Sequence, residues 1–417
     1  MSEAVLNTMP ADPFAVALDE INVSDPSLFE FDTWGGYFAR LRAEAPVHYC
    51  AKSNFGPFWS VSKFNDIVYV DKRHDLFSSE PTILLGDQPE DFTLENFITM
   101  DPPKHDEQRI VVQPAVVPRN LTRLEPIIRE RVKEIFDSLP VGETFNWVDR
   151  VSIELTTQML ATLFDFPFED RHKLTYWSDI GIATPELTGS DAMTEEARRE
   201  GLNECLEYFN RLWREREHGE PGFDLISMMA HNENTRDMPS RPMEYLGNLL
   251  LLIIGGNDTT RNSISGGVLA LNRFPEEYQK VRDNPALIPN MVSEIIRWQT
   301  PLSHMRRTAK EDTELAGQQI KKGDKVVMWY VSGNRDEEVI ERPNDLVVDR
   351  ANARHHLSFG FGIHRCMGNR LAEMQLRIVW EEIISRFDLV EVVGEPVHLR
   401  SNFIKGYSEL PVQVHPK

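Results

Sequence analysis

A chain of 417 residues, 41% hydrophobic and 27% charged, can build a core large enough to enclose a cofactor. Its 45 basic and 66 acidic side chains give a formal charge of −21, which argues against a nucleic-acid binder and against docking on an anionic membrane surface. No apolar run approaches the ~20 residues that span a bilayer, Met1–Phe14 has no basic signal-peptide start, and Cys50, Cys205 and Cys366 form neither a C-x-x-C pair nor a disulfide framework, so a cytoplasmic protein is expected.

Residues 1 to about 20 read as a loosely held leader, and 21–417 as one domain, mainly α with small β-sheets (α+β). Its β-rich subregion is expected at about 45–62, 314–330 and 397–417. Early strands fall at Val47–Cys50 and Phe58–Val61, between Pro and Gly breaks. In Asp101-Pro102-Pro103-Lys104-His105-Asp106-Glu107-Gln108-Arg109, an N-cap acid and prolines suit a helix start, and His105 and Arg109 share one helix face.

Three-and-four apolar spacing predicts helices at Arg123–Leu139, Val151–Phe164, Glu195–Glu217, Pro242–Arg273 and Arg370–Phe387. Between two of them, Ile182–Thr194 has the length and composition of a lid loop, the alternative being a merely tolerated surface loop. Gly255-Gly256-Asn257-Asp258-Thr259-Thr260 interrupts the otherwise apolar Pro242–Arg273 helix; two glycines weaken a helix by roughly 1 kcal/mol each, so a purely structural helix gains nothing from them. Glu294 and Arg297, three apart, pair on one helix face.

A hairpin is predicted from Glu314–Ile320 and Lys325–Tyr330, turning at Lys322-Gly323-Asp324, and a last strand pair from Val397–Phe403 and Leu410–Val414. Between them lies HHLSFGFGIHRCMG, His355–Gly368, with Phe359, Gly362, Cys366 and Gly368 in the order F-x-x-G-x-x-x-C-x-G. Glycines on both sides let backbone approach a flat macrocycle and aim N–H groups at sulfur, and the following helix start favours thiolate over thiol. The pattern suits a metal thiolate at Cys366, whereas Cys50 and Cys205 read as buried thiols.

The cysteine segment resembles the haem-binding loop of cytochromes P450, and the other motifs occur in that family's order along nearly the whole chain. The resemblance implies haem b (iron protoporphyrin IX) buried between a long central helix and the cysteine loop, with Cys366 as iron ligand. It implies that His105, Arg109, Arg307 and His364 bond the haem propionates, and that Phe359, Gly360 and Gly368 lie against the cofactor. Asp258 and Thr259 are implied to relay protons to bound dioxygen, and Glu294, Arg297 and Arg350 to form a structural cluster. The activity implied is monooxygenation, the thiolate donating electron density to iron. Electrons must come from elsewhere, because the chain has neither a G-x-G-x-x-G unit nor iron–sulfur cysteines; the expected donors are a ferredoxin and ferredoxin reductase, with Arg119, Arg365 and Arg370 as candidate docking contacts, the alternative being that Arg365 only braces the haem or the loop.

FITMDPPKHDEQR, NLLLLIIGGNDTTRNS, MVSEIIRWQTPL and HRCMGNRLAEMQLRIVWEEI resemble the bacterial enzymes that hydroxylate linear alkanes and fatty acids at the terminal carbon. The implied pocket is Ile83, Leu84, Leu85, Phe97, Leu251, Ile254, Gly255, Leu302, Phe403 and Ile404. No basic residue stands among these positions, which favours alkane over fatty acid. The competing readings are a hydroxylase of a compact terpene or steroid, a non-catalytic haem sensor, for which an acid–alcohol relay has no use, and a cofactor-free helical scaffold.

Overall fold

The structure, a computed structural model, describes residues 9–184, 188 and 193–417. Its axis is the helix Pro242–Arg273, 32 residues long and apolar enough to be buried along most of its length. Pro242 opens it where a missing N–H costs nothing. Helices His172–Ile182, Ile288–Gln299, Glu154–Phe164 and Asn369–Arg386 pack round it. The predicted interruption at Gly255-Gly256 leaves the helix continuous. A Cβ at Gly256 would come within 2.7 Å of Leu160 Cδ2, so that glycine permits close approach of helix Glu154–Phe164, while Gly255 faces open space.

Two apolar clusters flank this axis. One gathers Trp147, Ile295 and Trp380 with the C-terminal strands; the other gathers Trp177, Phe209 and Trp213 from the helices on the far side. Cys50 and Cys205 are both buried. No helix among the described residues is long and apolar enough to cross a membrane.

The main sheet has strand order β1-β2-β8-β5-β3, formed by Val47–Cys50, Phe58–Val61, Lys325–Met328, Met305–Ala309 and Phe77–Ser78. The early strands lie where the sequence puts them, paired antiparallel with Val47 opposite Val61. The predicted hairpin is different. β6 (Thr313–Leu315) and β7 (Gln318–Ile320) pair with each other round Ala316-Gly317, both at positive φ. β8 instead lies inside the main sheet, parallel to β2 and antiparallel to β5. Its Val326, Val327 and Met328 are fully buried, as a central strand requires and a hairpin edge does not. The last strand pair also differs: β10 (Val397–His398) pairs with β11 (Tyr407–Glu409), while β12 (Pro411–Pro416) pairs with β9 (Phe387–Val392) and β4 (Phe145–Asn146).

The expected leader is tied down from Ala11 onward, where Tyr37 donates to the Ala11 carbonyl at 2.6 Å and Arg40 to that of Val16 at 2.6 Å. Most of the expected lid, Ile182–Thr194, lies outside the described residues.

Glu294 and Arg297 pair at 2.7 Å with both side chains essentially inaccessible, and Arg350 joins Glu294 at 3.0 Å. Arg297 also donates to the carbonyls of Asn334, Pro343 and Asp345 at 2.9, 2.7 and 2.8 Å. Asn334 in turn receives the Leu357 N–H and donates to Ser358 Oγ. The helix Ile288–Gln299 is thereby fastened to the segment that leads into the cysteine loop.

Candidate active site

A cavity of about 760 Å³ lies between the central helix and the cysteine loop. Its floor includes Phe359, Gly360, Cys366, Met367 and Gly368. The loop folds back on itself through Cys366 N–H to Phe359 carbonyl, 2.8 Å, and Gly360 N–H to Leu357 carbonyl, 2.7 Å. Gly362 has φ +69°, and a Cβ there would overlap the Asp71 carbonyl. What its lack of a side chain admits is therefore the backbone of helix Phe64–Lys72, not a macrocycle. The accessible face of Cys366 opens on the cavity. Burial among protein pushes its thiol pKa up, opposed by the N–H groups of Gly368 and Asn369 at the start of helix Asn369–Arg386 and by Arg109 and Arg365. A bound cation reverses that balance by taking the thiolate.

The fit of an anionic macrocycle can be tested on the groups around this floor. His364 has both ring nitrogens buried and unpartnered, so in either tautomer an N–H lacks an acceptor. His105 packs edge-on against it, centroids 4.4 Å apart, with its own Nε2 buried and unpartnered. Burial holds the His364 pKa down at about 2 and lowers that of His105. Arg109 and Arg307 line the same cavity, Arg307 donating to Asp71 at 2.8 Å. Leaving the two imidazoles unsatisfied is costly, and carboxylates of a bound cofactor supply the acceptors they lack beside two guanidinium groups. These residues fit a haem.

Opposite the floor, Gly255, Gly256, Thr259 and Thr260 of the central helix face the cavity. Thr259 Oγ1 donates to the Gly255 carbonyl at 3.1 Å. Asp258 is fully buried on the other side of the helix and does not line the cavity. It receives a hydrogen bond from Ser178 at 2.8 Å, and the Arg261 guanidinium lies 2.5 Å from Oδ1, close enough to pair though not aligned as a hydrogen bond. Arg261 also pairs with Asp179, which is half exposed. Burial raises the Asp258 pKa, with Arg261 opposing.

Ile83, Leu84, Phe97, Leu251, Ile254, Leu302, Phe403 and Ile404 all line the cavity. Leu85 does not; it sits in the buried cluster behind the wall with Phe55 and Val327. The wall also holds a basic side chain absent from the expected set, Arg198, together with Glu195. Sequence reading missed these two, Asp71 and Arg261. Arg261 stands three residues after Asp258 and Arg198 three after Glu195, a spacing that puts each pair on one helix face; Asp71 has no such local signal.

One accessible thiol beneath a cavity ringed by cationic and imidazole donors is the arrangement a haem-thiolate protein needs. The family model for Cytochrome P450 matches residues 57–406, and the chain belongs to that family, whose cofactor is protoporphyrin IX haem. It is 35% identical to linalool 8-monooxygenase of Pseudomonas putida over 96% of this chain and 100% of that protein. It is 32% identical to a methyl-branched lipid omega-hydroxylase of Mycobacterium bovis, covering 94% of this chain and 95% of the other. Among solved structures, Cytochrome P450-153 from Novosphingobium aromaticivorans superimposes with TM-score 0.88 at 48% identity, over 94% of this chain and 99% of that one. The protein is a P450 monooxygenase of the bacterial type.

Proposed function

We propose that this monooxygenase hydroxylates the terminal carbon of a linear aliphatic substrate, an n-alkane or fatty acid, with O2 and electrons from a ferredoxin and its reductase. The observation that carries the reading is the wall above Cys366, where Phe97, Leu251, Ile254, Leu302, Phe403 and Ile404 form an apolar lining. Internal C–H bonds are weaker than terminal ones, so selectivity must come from shape; each ~1.4 kcal/mol of positional preference is worth tenfold. Likeness to a lipid omega-hydroxylase supports the same choice.

Bound haem supplies oxygen activation and insertion of one oxygen atom into a C–H bond. In this proposal Cys366 holds the iron, and His105, Arg109, Arg307 and His364 hold the propionates. Gly255 leaves room on the helix face beside Thr259, whose hydroxyl stands at the cavity and passes protons into it. Asp258, its pKa raised by burial, stores the proton behind that hydroxyl. Arg261 and Asp179 connect this carboxyl to the half-exposed face of helix His172–Ile182. Arg119, Arg365 and Arg370, all exposed, form the docking patch for an acidic ferredoxin.

A second reading, hydroxylation of a compact terpene, draws on the 35% identity to linalool 8-monooxygenase. Optical titration of the ferric protein with an n-alkane, the matching fatty acid and a bulky terpene separates the two. A saturable spin-state shift with linear chains alone supports terminal hydroxylation; a shift with the terpene alone overturns it.

A further inference from the structure

We infer that Arg198 is the recognition point for a substrate carboxylate, holding the acid end of a chain whose other end reaches toward Cys366. The inference rests on the aliphatic reading above and narrows it to a chain with an acidic end.

Arg198 stands in the first turn of helix Glu195–Arg216 and lines the cavity while remaining only 5% exposed. Its guanidinium lies 5.7 Å from the Phe92 ring centroid, and Phe92 is itself a cavity residue. Among the described residues its side chain donates only to Glu195, Nε to Oε2 at 2.7 Å and Nη2 to Oε1 at 3.1 Å. Glu195 is not its private partner. Arg199 donates to the same Oε1 at 2.7 Å and also holds Asp91 at 2.6 Å. Two arginines thus share Glu195, and among the described residues Arg198 has no second carboxylate and its Nη1 group is left over.

A buried guanidinium beside an aromatic ring seeks a further anion, and a carboxylate offers the planar, two-oxygen acceptor that fits its fork. A chain held there by its acid group can present only its far end toward Cys366. The same arginine therefore also determines which carbon is attacked.

The test is spin-state titration of the haem-loaded protein with dodecanoate, methyl dodecanoate and n-dodecane, in the wild type and in Arg198→Gln, Arg198→Lys and Glu195→Gln. Arg198→Gln should weaken dodecanoate roughly tenfold or more, the worth of a charge-assisted hydrogen bond, and leave the ester and alkane within about twofold. Arg198→Lys should keep part of the preference for acid, and Glu195→Gln should raise affinity for the acid alone. Equal weakening of acid and ester, or no change in either, would overturn the inference while leaving terminal hydroxylation intact. Failure of every linear probe to shift the wild-type spectrum would instead overturn the aliphatic reading, and the inference with it.

Discussion

Asp258 and Gly362 act in different ways at the scale of single residues. Asp258 is fully buried, and burial raises its carboxyl pKa, so it retains a proton to higher pH than a solvated acid does. Asp258→Asn keeps the shape and an acceptor for Ser178 but carries no transferable proton. Turnover should fall roughly a hundredfold with haem content and substrate affinity unchanged. The wild-type rate should decline as pH rises through the raised carboxyl pKa, and that limb should vanish in the variant; a profile unchanged by the substitution would remove Asp258 from the proton route. Gly362 is a matter of backbone, with φ +69° and the Asp71 carbonyl where a Cβ would go. Gly362→Ala should cost about 1–3 kcal/mol or more and loosen the haem loop, read as a lower midpoint of thermal unfolding together with incomplete haem retention.

Among the elements, the helix Ile288–Gln299 is the one whose loss spreads furthest, because its buried pair fastens the approach to the cysteine loop. Glu294→Gln leaves Arg297 a buried charge without its counter-ion and should destabilise by about 3–5 kcal/mol, measurable as a shift in the urea midpoint. The neighbouring connection carries a pH dependence. His304 is fully buried against Trp329, donates from Nδ1 to the Asn402 carbonyl, and has its pKa pushed down to about 4 by burial. The unfolded chain binds a proton at this position below about pH 6.5 and the folded one does not, so stability should fall between pH 6.5 and 4 by roughly 3 kcal/mol. His304→Asn should flatten that slope. Helices were the most legible elements, since their three-and-four spacing is local; Pro242–Arg273 has the bounds its sequence predicts. Strand pairing was not, because β8 reads like the second half of a hairpin with β7 until burial on both faces places it between β2 and β5.

The whole molecule carries a formal charge of −21, and Arg119, Arg365 and Arg370 are exposed on it. If an acidic ferredoxin docks there, reduction should slow as ionic strength rises, and Arg119→Glu should cut the rate several-fold at low salt and little at high salt. Stopped-flow reduction measures both. At this scale the sequence grouped residues that the structure also brings together wherever they lie within a few positions of each other: the cysteine loop, and His105 with Arg109 beside it; Asp258 and Thr259, though adjacent, part to opposite sides of their helix. Arg198 escaped because a surface-like charged helix start gives no sign that its fourth residue turns into a cavity, and Leu85 was misplaced because an apolar run does not say which of its members faces the hollow.

In the proposed reading, one helix separates two kinds of traffic. The cavity lies on the side of Pro242–Arg273 that faces Cys366, whereas Asp258, Arg261 and Asp179 lie on the opposite side, toward helix His172–Ile182. A tenant that fills the hollow completely therefore leaves the water-facing carboxyl unobstructed. Turnover in heavy water should be slowed by the same factor for a short chain as for one that packs the pocket full.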